Sequence, residues 1–474
     1  MDDATRVTDI DDLLTQVGEA SRRYLHSLTD RPVRAELTVA GVREMIETRL
    51  EDDGTAATDV LSELIRLGET ATVATAGPRY FGFVTGGALP VALAAELLAA
   101  AWDQNAALAV MSPLAAVTEE VAGPWIKSLL GLPVTASIGF VTGGQSANIV
   151  CLAAARHHVL AAHGWDVEVR GLCTAPPVNC IVGADRHTTV DAALRSIGLG
   201  SPGVVVEADE QGRMRPDALG DALRTCDGPT ILCLQAGNVV TGAFDDFEVL
   251  VAIAHQAGAW VHVDGAFGAW AASSSALRHL TKGMAGADSW AVDGHKLLNV
   301  PYDCGYAITA HPESHLRTCA STASYLVTGG TDEPRDGMSW VFELSRRARG
   351  VATYAALRSL GRGGVANLVE RCCRNAQGFA TLACAEPGIA VLNEVVFNQA
   401  ALRFDDSDDQ THAVIAAVQA EGTCWAGGAS WHGKAVMRWS VSNWSTTPSD
   451  IDRSARAVIS AHRAVRSRCS TQAL

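Results

Sequence analysis

Short apolar runs alternate with helical stretches along most of this chain. Seven runs predict strands, at residues 136–142, 180–184, 203–207, 230–235, 260–263, 289–292 and 305–309. Helices are predicted between them, for example over 146–162 and 247–257. Strands that alternate with helices predict an α/β fold whose mostly parallel, doubly wound sheet is covered on both faces.

The two ends of the chain depart from this alternation. Residues 11–25 and 57–67 carry apolar positions at three- and four-residue spacing, which is typical of amphipathic helices. The C-terminal part opens with a long helical stretch and then mixes strands with helices, which predicts an α+β unit. We therefore predict a helical arm over 1–76, a large α/β domain over 77–350 and a small α+β domain over 351–474.

Composition narrows the class of protein. The chain has 474 residues and a net charge of −15, which argues against a nucleic-acid or anionic-membrane surface. Its longest apolar stretch, around 88–102, is broken by Pro90 and Glu96 and is too short to cross a bilayer. Twelve cysteines without a Cys-x-x-Cys pair favour buried free thiols in a reducing cytoplasm over disulfides or zinc sites.

Two of the predicted strands lead into side chains that could take part in a reaction. Asp264 ends one strand, and Lys296 closely follows another. Each residue has an ordinary interpretation, since lysine is usually a solvated surface charge and an acid at a strand end often only caps a helix. Together they fit pyridoxal phosphate, which needs a lysine for its aldehyde and an acid for its pyridine nitrogen. We expect burial to lower the pKa of Lys296 and so make it a better nucleophile.

Two further segments fit the same cofactor. Gly143 and Gly144 lie between a strand and a helix, where backbone N–H groups and the side chains of Gln145 and Ser146 would hold a phosphate. The alternative is a tight turn. His187 also follows a strand, where a neutral imidazole would stack on a flat ring, although a lone loop histidine is more often structural.

In this order, these residues resemble the pyridoxal-phosphate-dependent group II amino acid decarboxylases, from about residue 77 to about residue 459. The resemblance implies fold type I, the architecture of the aspartate aminotransferases, and a homodimer built with the N-terminal arm. It also implies that an L-amino acid loses CO2 and becomes an amine, through an internal aldimine at Lys296 and a quinonoid intermediate.

The resemblance also assigns site residues. The expected cofactor-binding residues are Lys296, His295, Asp264, Ala266, His187, Gly144 and Gln145. The expected substrate-binding residues are Arg438, Phe83, Thr85 and Asn105. Among these, His187 and Ala266 would lie on opposite faces of the cofactor ring, and the Arg438 guanidinium would hold a substrate carboxylate.

One further match bears on the reaction. Tyr325 lies in a segment that resembles the family's mobile loop, whose tyrosine reaches the neighbouring subunit's site and returns a proton to Cα. Phenylalanine at this position is typical of aldehyde synthases, so Tyr325 favours simple decarboxylation. The local alternative is an ordinary loop aromatic.

Two positions depart from the family pattern. Asp293 stands where the family often has asparagine, and its negative charge would repel a phosphate. Asn238 lies where the family usually has a threonine hydroxyl near the ring oxygen, so that contact is either lost or replaced by Asn238. Oxidative decarboxylation, transamination and a non-catalytic regulatory or dimeric protein remain the alternative functions.

Overall fold

A seven-stranded sheet forms the centre of the computed structural model, which describes residues 10–320 and 335–472, without the side chains of 469–472. Its strands are β1 Ser137–Val141, β2 Asn179–Gly183, β3 Val204–Val206, β4 Thr230–Gln235, β5 Trp260–Asp264, β6 Ser289–Asp293 and β7 Gly305–Thr309. Their order is β1-β7-β6-β5-β4-β2-β3. Strand β7 runs in the direction opposite to the other six, which are parallel to one another. All seven predicted strands are therefore confirmed, as is the mostly parallel sheet.

Helices surround the sheet and extend beyond it at both ends of the chain. Within the described ranges they are α1 Ile10–Ser27, α2 Val39–Met45, α3 Ala57–Ala71, α4 Pro90–Ala101, α5 Pro113–Leu129, α6 Gly144–Ala162, α7 Val167–Arg170, α8 Thr188–Ser196, α9 Pro216–Thr225, α10 Phe247–Gln256, α11 Pro312–Cys319, α12 Arg349–Cys384, α13 Asp408–Glu421 and α14 Pro448–Gln472. The long helix α12 leaves helical geometry at Gly361, where φ is 61°, a conformation that glycine adopts without strain.

Alternation along β5 divides the core between the two faces of the sheet. Trp260 belongs to an apolar cluster with Leu152 of α6 on one face, whereas Val261 belongs to the cluster of Leu250 of α10 on the other. Because side chains alternate along a strand, Asp264 projects to the same face as Trp260. The acid therefore points toward the side of the sheet that α6 covers.

A second, antiparallel sheet lies in the C-terminal part. Its strands are β8 Ile389–Val391, β9 Gln399–Phe404, β10 Gly427–Trp431 and β11 Lys434–Ser440, in the order β10-β11-β9-β8. Sequence patterning missed β10, which begins with two glycines and alternates only weakly in burial.

Trp439 of β11 connects the core of the small sheet to the rest of the molecule. It is fully buried, and its ring stacks between Phe81 and Phe379, with centroid distances of 3.9 Å and 3.6 Å. Phe81 lies in the loop that precedes α4, whereas Phe379 is on α12. One apolar cluster therefore spans both sheets, and aromatic stacking of this kind adds to simple burial.

The N-terminal helices rest on the body of the chain through few buried groups. Helix α1 has no buried residue. Arg79, only 1% exposed, donates hydrogen bonds to the backbone carbonyls of Thr29, Arg31 and Thr423 at 2.9–3.0 Å. Burial lowers the pKa of this guanidinium, which has three carbonyl partners from two distant parts of the chain. Arg79 therefore joins the arm to the C-terminal part.

Two sequence expectations concern the whole chain. No helix in the described ranges is long and apolar enough to cross a membrane. The cysteines described by the structure are all free, and most are buried, although Cys173 and Cys384 are exposed.

Candidate active site

A cavity of about 390 Å³ opens at the carboxyl edge of the large sheet. Nine of the residues predicted from the sequence line it, namely Phe83, Gly144, Gln145, His187, Asp264, Ala266, His295, Lys296 and Arg438. This convergence follows from topology, because the carboxyl ends of parallel strands meet at one edge of a sheet. Asp264 pairs with Ala291 across β5 and β6, so the acid lies beside the strand that leads to Lys296.

Lys296 lies against the neighbouring acid Asp293. Its Nζ is 2.7 Å from Asp293 Oδ2. Burial of the ammonium lowers its pKa, but the charge and hydrogen bond of Asp293, with a contribution from Asp264, outweigh burial, and the pKa of Lys296 is raised. The expectation that burial would lower this pKa was therefore wrong, because it considered desolvation without the carboxylate three residues earlier.

The Asp293 carboxylate also contacts the turn predicted to bind a phosphate. The Gly144 N–H donates to its Oδ1 at 2.5 Å, and His295 Nε2 lies 3.3 Å from the same oxygen. The predicted repulsion between Asp293 and a phosphate remains a prediction, and the structure adds its physical basis. The acid takes the N–H group at the start of α6 and is also paired with Lys296.

The Gly143–Gly144 turn has no room for larger residues. A Cβ at Gly143 would lie 2.8 Å from His295 Cε1, and one at Gly144 would lie 3.0 Å from Asp293 Oδ2. Hydroxyl groups of Thr142 and Ser146, 2.6 Å apart, line the same part of the cavity. A glycine turn at a helix start, with hydroxyl donors beside it, suits a phosphate. Apart from Asp293, the donor set therefore fits the phosphate end of pyridoxal phosphate.

The opposite end of the cavity suits a flat heteroaromatic ring. Asp264 is 7% exposed, and its Oδ1 accepts the Ala266 N–H at 3.2 Å. His187 begins α8, and its Nδ1 accepts from the Thr189 backbone N–H at 3.3 Å. Burial lowers the pKa of His187, so the imidazole is neutral near pH 7. The residues therefore fit a pyridine ring whose nitrogen lies at Asp264 and whose two faces contact the small Ala266 and the planar His187.

Arg438 supplies positive charge on another part of the cavity wall. Its guanidinium makes no salt bridge or hydrogen bond to any residue within 10–320 and 335–472, and only its backbone is paired, within the small sheet. Its guanidinium carbon lies 5.9 Å from the ring centroid of Phe83, whose side chain is 64% exposed. Burial lowers the pKa of Arg438, and nearby Tyr80 opposes this effect. A half-buried guanidinium without a carboxylate partner among the described residues is suited to an anionic group.

Two predicted site residues do not line this cavity, and a third lies outside the described residues. Thr85 is buried and hydrogen-bonds the Tyr302 hydroxyl. Asn105 accepts backbone N–H groups of Ala107 and Arg346 at 3.0 Å and 3.2 Å, which holds a turn elsewhere. Tyr325 lies outside the described residues.

Asn238 does not replace the missing hydroxyl contact. Its Oδ1 accepts the backbone N–H groups of Val240 and Thr241, and its Nδ2 donates to the Asp185 carbonyl. The side chain is 1% exposed and does not line the cavity. The suggestion that Asn238 replaces the contact was therefore wrong, because its amide is hydrogen-bonded to its own loop and to the Asp185 carbonyl.

Sequence reasoning assigned no role to several residues at or behind the cavity. Thr189 and Gln235 line it, and Asn148 lies behind Asp264 with its Nδ2 3.4 Å from Asp264 Oδ2. The available signal for Asn148 was a polar residue among apolar neighbours in the first half of α6, where Ala147 and Val150 are also buried. A buried amide of this kind usually has a specific partner.

Comparison with known proteins gives one family and one fold. Residues 41–404 match the pyridoxal-dependent decarboxylase conserved domain. The cysteine sulfinic acid decarboxylase of Homo sapiens is 29% identical over 291 residues, which cover 60% of this chain and 58% of that protein. The match therefore spans less than two thirds of the length of that relative.

Solved structures match over nearly the whole chain. Oryza sativa TDC with PLP and tryptamine superimposes with a TM-score of 0.88 at 19% identity, covering 97% of this chain and 99% of that one. Rhodiola rosea 4-hydroxyphenylacetaldehyde synthase gives a TM-score of 0.84 at 19% identity, covering 97% and 98%. At these identities the matches establish the fold, and they confirm the architecture expected from the sequence.

Proposed function

Because this chain belongs to the pyridoxal-dependent decarboxylase family, we propose that it removes the α-carboxylate of an L-amino acid as CO2 and releases the amine. Family membership confirms both the expected resemblance and pyridoxal phosphate as the cofactor. The observation that carries the proposal is the presence of Lys296, Asp264 and the unpaired Arg438 around one cavity.

When bound, pyridoxal phosphate draws off the electron pair that the departing carboxylate leaves on Cα. Asp264 would hold a proton on the pyridine nitrogen, and Lys296 would bind the aldehyde carbon. His187 and Ala266 would pack against the two faces of the ring. The N–H groups at the start of α6, with Gln145, would hold the phosphate.

Lys296 must lose a proton before it can act as a nucleophile. Asp293 Oδ2, at 2.7 Å, is the nearest acceptor, yet the same contact stabilises the ammonium and raises its pKa. We infer that Asp293 slows capture of the cofactor and keeps the lysine oriented toward the cavity. His295 also contacts Asp293 and would share this orienting role.

Arg438 is proposed to bind the substrate carboxylate. Its guanidinium faces the cavity with no carboxylate partner in the described parts of the chain, and two parallel N–H groups match a carboxylate in geometry. The exposed Phe83 ring beside it would contact the substrate side chain. Thr85 and Asn105 are also proposed to bind the substrate. Because neither lines the cavity of this chain, they would do so in a cavity completed by a partner subunit or after breaking their present hydrogen bonds.

The returned proton has two proposed donors. Tyr325 is the donor that the resemblance implies, acting from a partner subunit. His187 is the donor within this chain, because its Nδ1 accepts hydrogen bonds and its proton is therefore on Nε2. Both groups would deliver the proton to Cα after CO2 has left.

A homodimer is proposed from apolar side chains that one chain leaves in solvent. They lie on the arm, on α4 and α5 and between these two helices, and those that are at least half exposed there include Ile10, Leu14, Val39, Leu50, Leu64, Leu97, Leu98, Val110, Met111 and Val117. So many exposed large apolar groups are unusual on a monomer and typical of an interface. Light scattering on the purified chain tests this proposal, since a monomer at micromolar concentration would contradict it.

A cytoplasmic location is proposed as well. It rests on the free thiols of the described cysteines, which suit a reducing compartment. Fractionation of the producing cells tests it.

The proposed reaction is tested by incubating the purified, cofactor-loaded chain with each natural L-amino acid. We expect CO2 and an equal amount of amine from at least one of them, and none from the Lys296→Ala variant. Aldehyde with peroxide, or keto acid, in excess over amine would replace the proposal by oxidative decarboxylation or transamination. A chain that binds the cofactor but changes no amino acid would favour the non-catalytic alternative.

A further inference from the structure

One buried amide connects two cavity residues that come from different elements. Asn148 on α6 is fully buried and does not line the cavity. Its Nδ2 lies 3.4 Å from Asp264 Oδ2 and 3.3 Å from Thr189 Oγ1, and its Oδ1 lies 2.9 Å from His262 Nε2. A single side chain therefore contacts the acid directly and reaches the segment that begins with His187.

The direction of each hydrogen bond on the sheet side follows from chemistry. A carboxylate only accepts, so the amide nitrogen of Asn148 must face Asp264 and its oxygen must face His262. His262 is neutral, because burial lowers its pKa to about 4. Its one ring proton is on Nε2, because this nitrogen faces the Asn148 oxygen, which only accepts. Its Nδ1 then accepts from Ser289 Oγ at 2.9 Å, and that oxygen accepts from Trp260 Nε1 at 3.0 Å.

The second branch fixes the proton of His187. Thr189 Oγ1 accepts from Asn148 and lies 2.8 Å from His187 Nδ1, to which its hydroxyl donates. The Thr189 backbone N–H also points to this nitrogen and can only donate. His187 Nδ1 is therefore an acceptor, and the neutral ring carries its proton on Nε2. Every group in this chain of contacts has one consistent role.

We propose that Asn148 is a positioning residue that orients Asp264 and His187 together through one buried amide. It would aim the acid into the cavity without neutralising its charge, and it would hold His187 in the tautomer with a proton on Nε2. This inference rests on the proposed function for the roles of Asp264 and His187. It adds a residue that touches neither cofactor nor substrate.

The decisive variant is Asn148→Asp, which keeps the shape of the side chain. An ionised carboxylate at 148 cannot donate to Asp264 and repels it, whereas a protonated one restores the donor. The charged and titratable groups that interact with Asp264, or with His187 beside it, are His262 on β5, Cys233 on β4, His187 before α8, Asp293 and Lys296 on and after β6, and Arg438 on β11. None of these supplies a donor to replace the amide.

Cofactor affinity is measured by titrating the visible absorbance of the bound cofactor between pH 6 and pH 8.5. We expect Asn148→Asp to lose affinity by about 10- to 100-fold at the alkaline end and to regain much of it at the acidic end. Asn375→Asp is the matched control, since Asn375 is buried on α12 and donates to the Thr446 carbonyl outside the site. It should show no such pH dependence relative to the wild type.

An Asn148→Asp variant whose affinity follows that of Asn375→Asp at every pH would overturn the proposal. Circular dichroism of the variants shows whether they fold, and Asn148→Leu serves as a second variant, expected to lose affinity at all pH values. Because the readout is cofactor binding, it does not depend on the substrate. A wild-type chain that binds cofactor but decarboxylates nothing would overturn only the proposed function.

Discussion

Asp264 and Asp293 occupy equivalent places and have different surroundings. Each ends one of two neighbouring parallel strands, each is nearly buried, and both line the same cavity. Asp264 is held by neutral donors, the Asn148 amide and the Ala266 N–H. Asp293 is held by the Gly144 N–H and by two groups that carry or can carry positive charge, Lys296 and His295.

The difference shows how partners decide what a carboxylate can do. Neutral donors fix the orientation of Asp264 and leave its charge uncompensated, so it can stabilise a cationic ring nitrogen. The charge of Asp293 is already balanced by Lys296, so this acid acts on the lysine instead. Position at the strand end alone does not distinguish the two roles.

The largest effect is expected from removing the charge of Asp264, which tests its proposed role in stabilising the ring nitrogen. Asp264→Asn keeps the shape and removes the charge, so turnover should fall by roughly 100- to 1000-fold, as when one preorganised electrostatic contact is lost. CO2 release at saturating cofactor measures it. Asp245→Asn is the control, because Asp245 is a buried acid that does not line this cavity and accepts the backbone N–H groups of Met214 and Gln235. Equal losses in both variants would mean that burial, and not the site, explains the effect.

The second prediction asks what the positive charge of Arg438 serves. Arg438→Gln should raise KM by about 10- to 100-fold, the range expected for a charged hydrogen bond of 1.5–3 kcal/mol. Cofactor affinity should stay near the wild-type value. Steady-state kinetics and an absorbance titration measure the two quantities. If the variant bound the cofactor more weakly and its KM were unchanged, Arg438 would instead bind the cofactor phosphate.

The third prediction concerns the effect of the Asp293 charge on cofactor binding. Asp293→Asn removes an anion from the phosphate turn and keeps an oxygen that can accept the Gly144 N–H. We expect the cofactor to bind about 10-fold more tightly, which corresponds to about 1.4 kcal/mol. Equilibrium titration of the cofactor-free variant checks this. Weaker binding would show that Asp293 supports the cofactor and that the two acids are more alike than proposed.

The smallest expected effect is a shift in a pH profile. Asp293 raises the pKa of Lys296, so the ammonium persists to higher pH and the neutral amine becomes available only as pH rises. Covalent capture of the cofactor should therefore speed up with rising pH. In Asp293→Asn, the same increase should occur at lower pH. Stopped-flow absorbance measures both profiles, and identical profiles would contradict a role for Asp293 in setting this pKa.

Much of the fold and of the site could be predicted from the sequence, because both depend on strong local patterns. Apolar runs located the strands, and a parallel sheet brings the ends of its strands to one edge, which places Asp264, His187 and Lys296 together. The glycines at 143 and 144 were also informative, since close approach of His295 and Asp293 leaves no room for a side chain.

What could not be predicted depends on the side-chain contacts that the folded chain makes, most of them between distant segments. The direction of the Lys296 pKa shift is set by the rotamer of Asp293, and the fate of Asn238 by a carbonyl at Asp185. Asn148 and Asp264 are far apart in the chain and meet only because α6 packs on the β5 face that carries the acid. Strand β10 was missed because glycine-rich edge strands carry little pattern.

The buried guanidinium of Arg79 has a consequence for how this protein can be divided. Two of its three carbonyl partners, those of Thr29 and Arg31, belong to the segment that follows α1. A shortened chain that began after this segment would leave a cation inside the fold with lost acceptors, at a cost comparable to a severe core mutation. We therefore expect that removing the arm destabilises the rest of the chain, even if the arm never contacts a substrate.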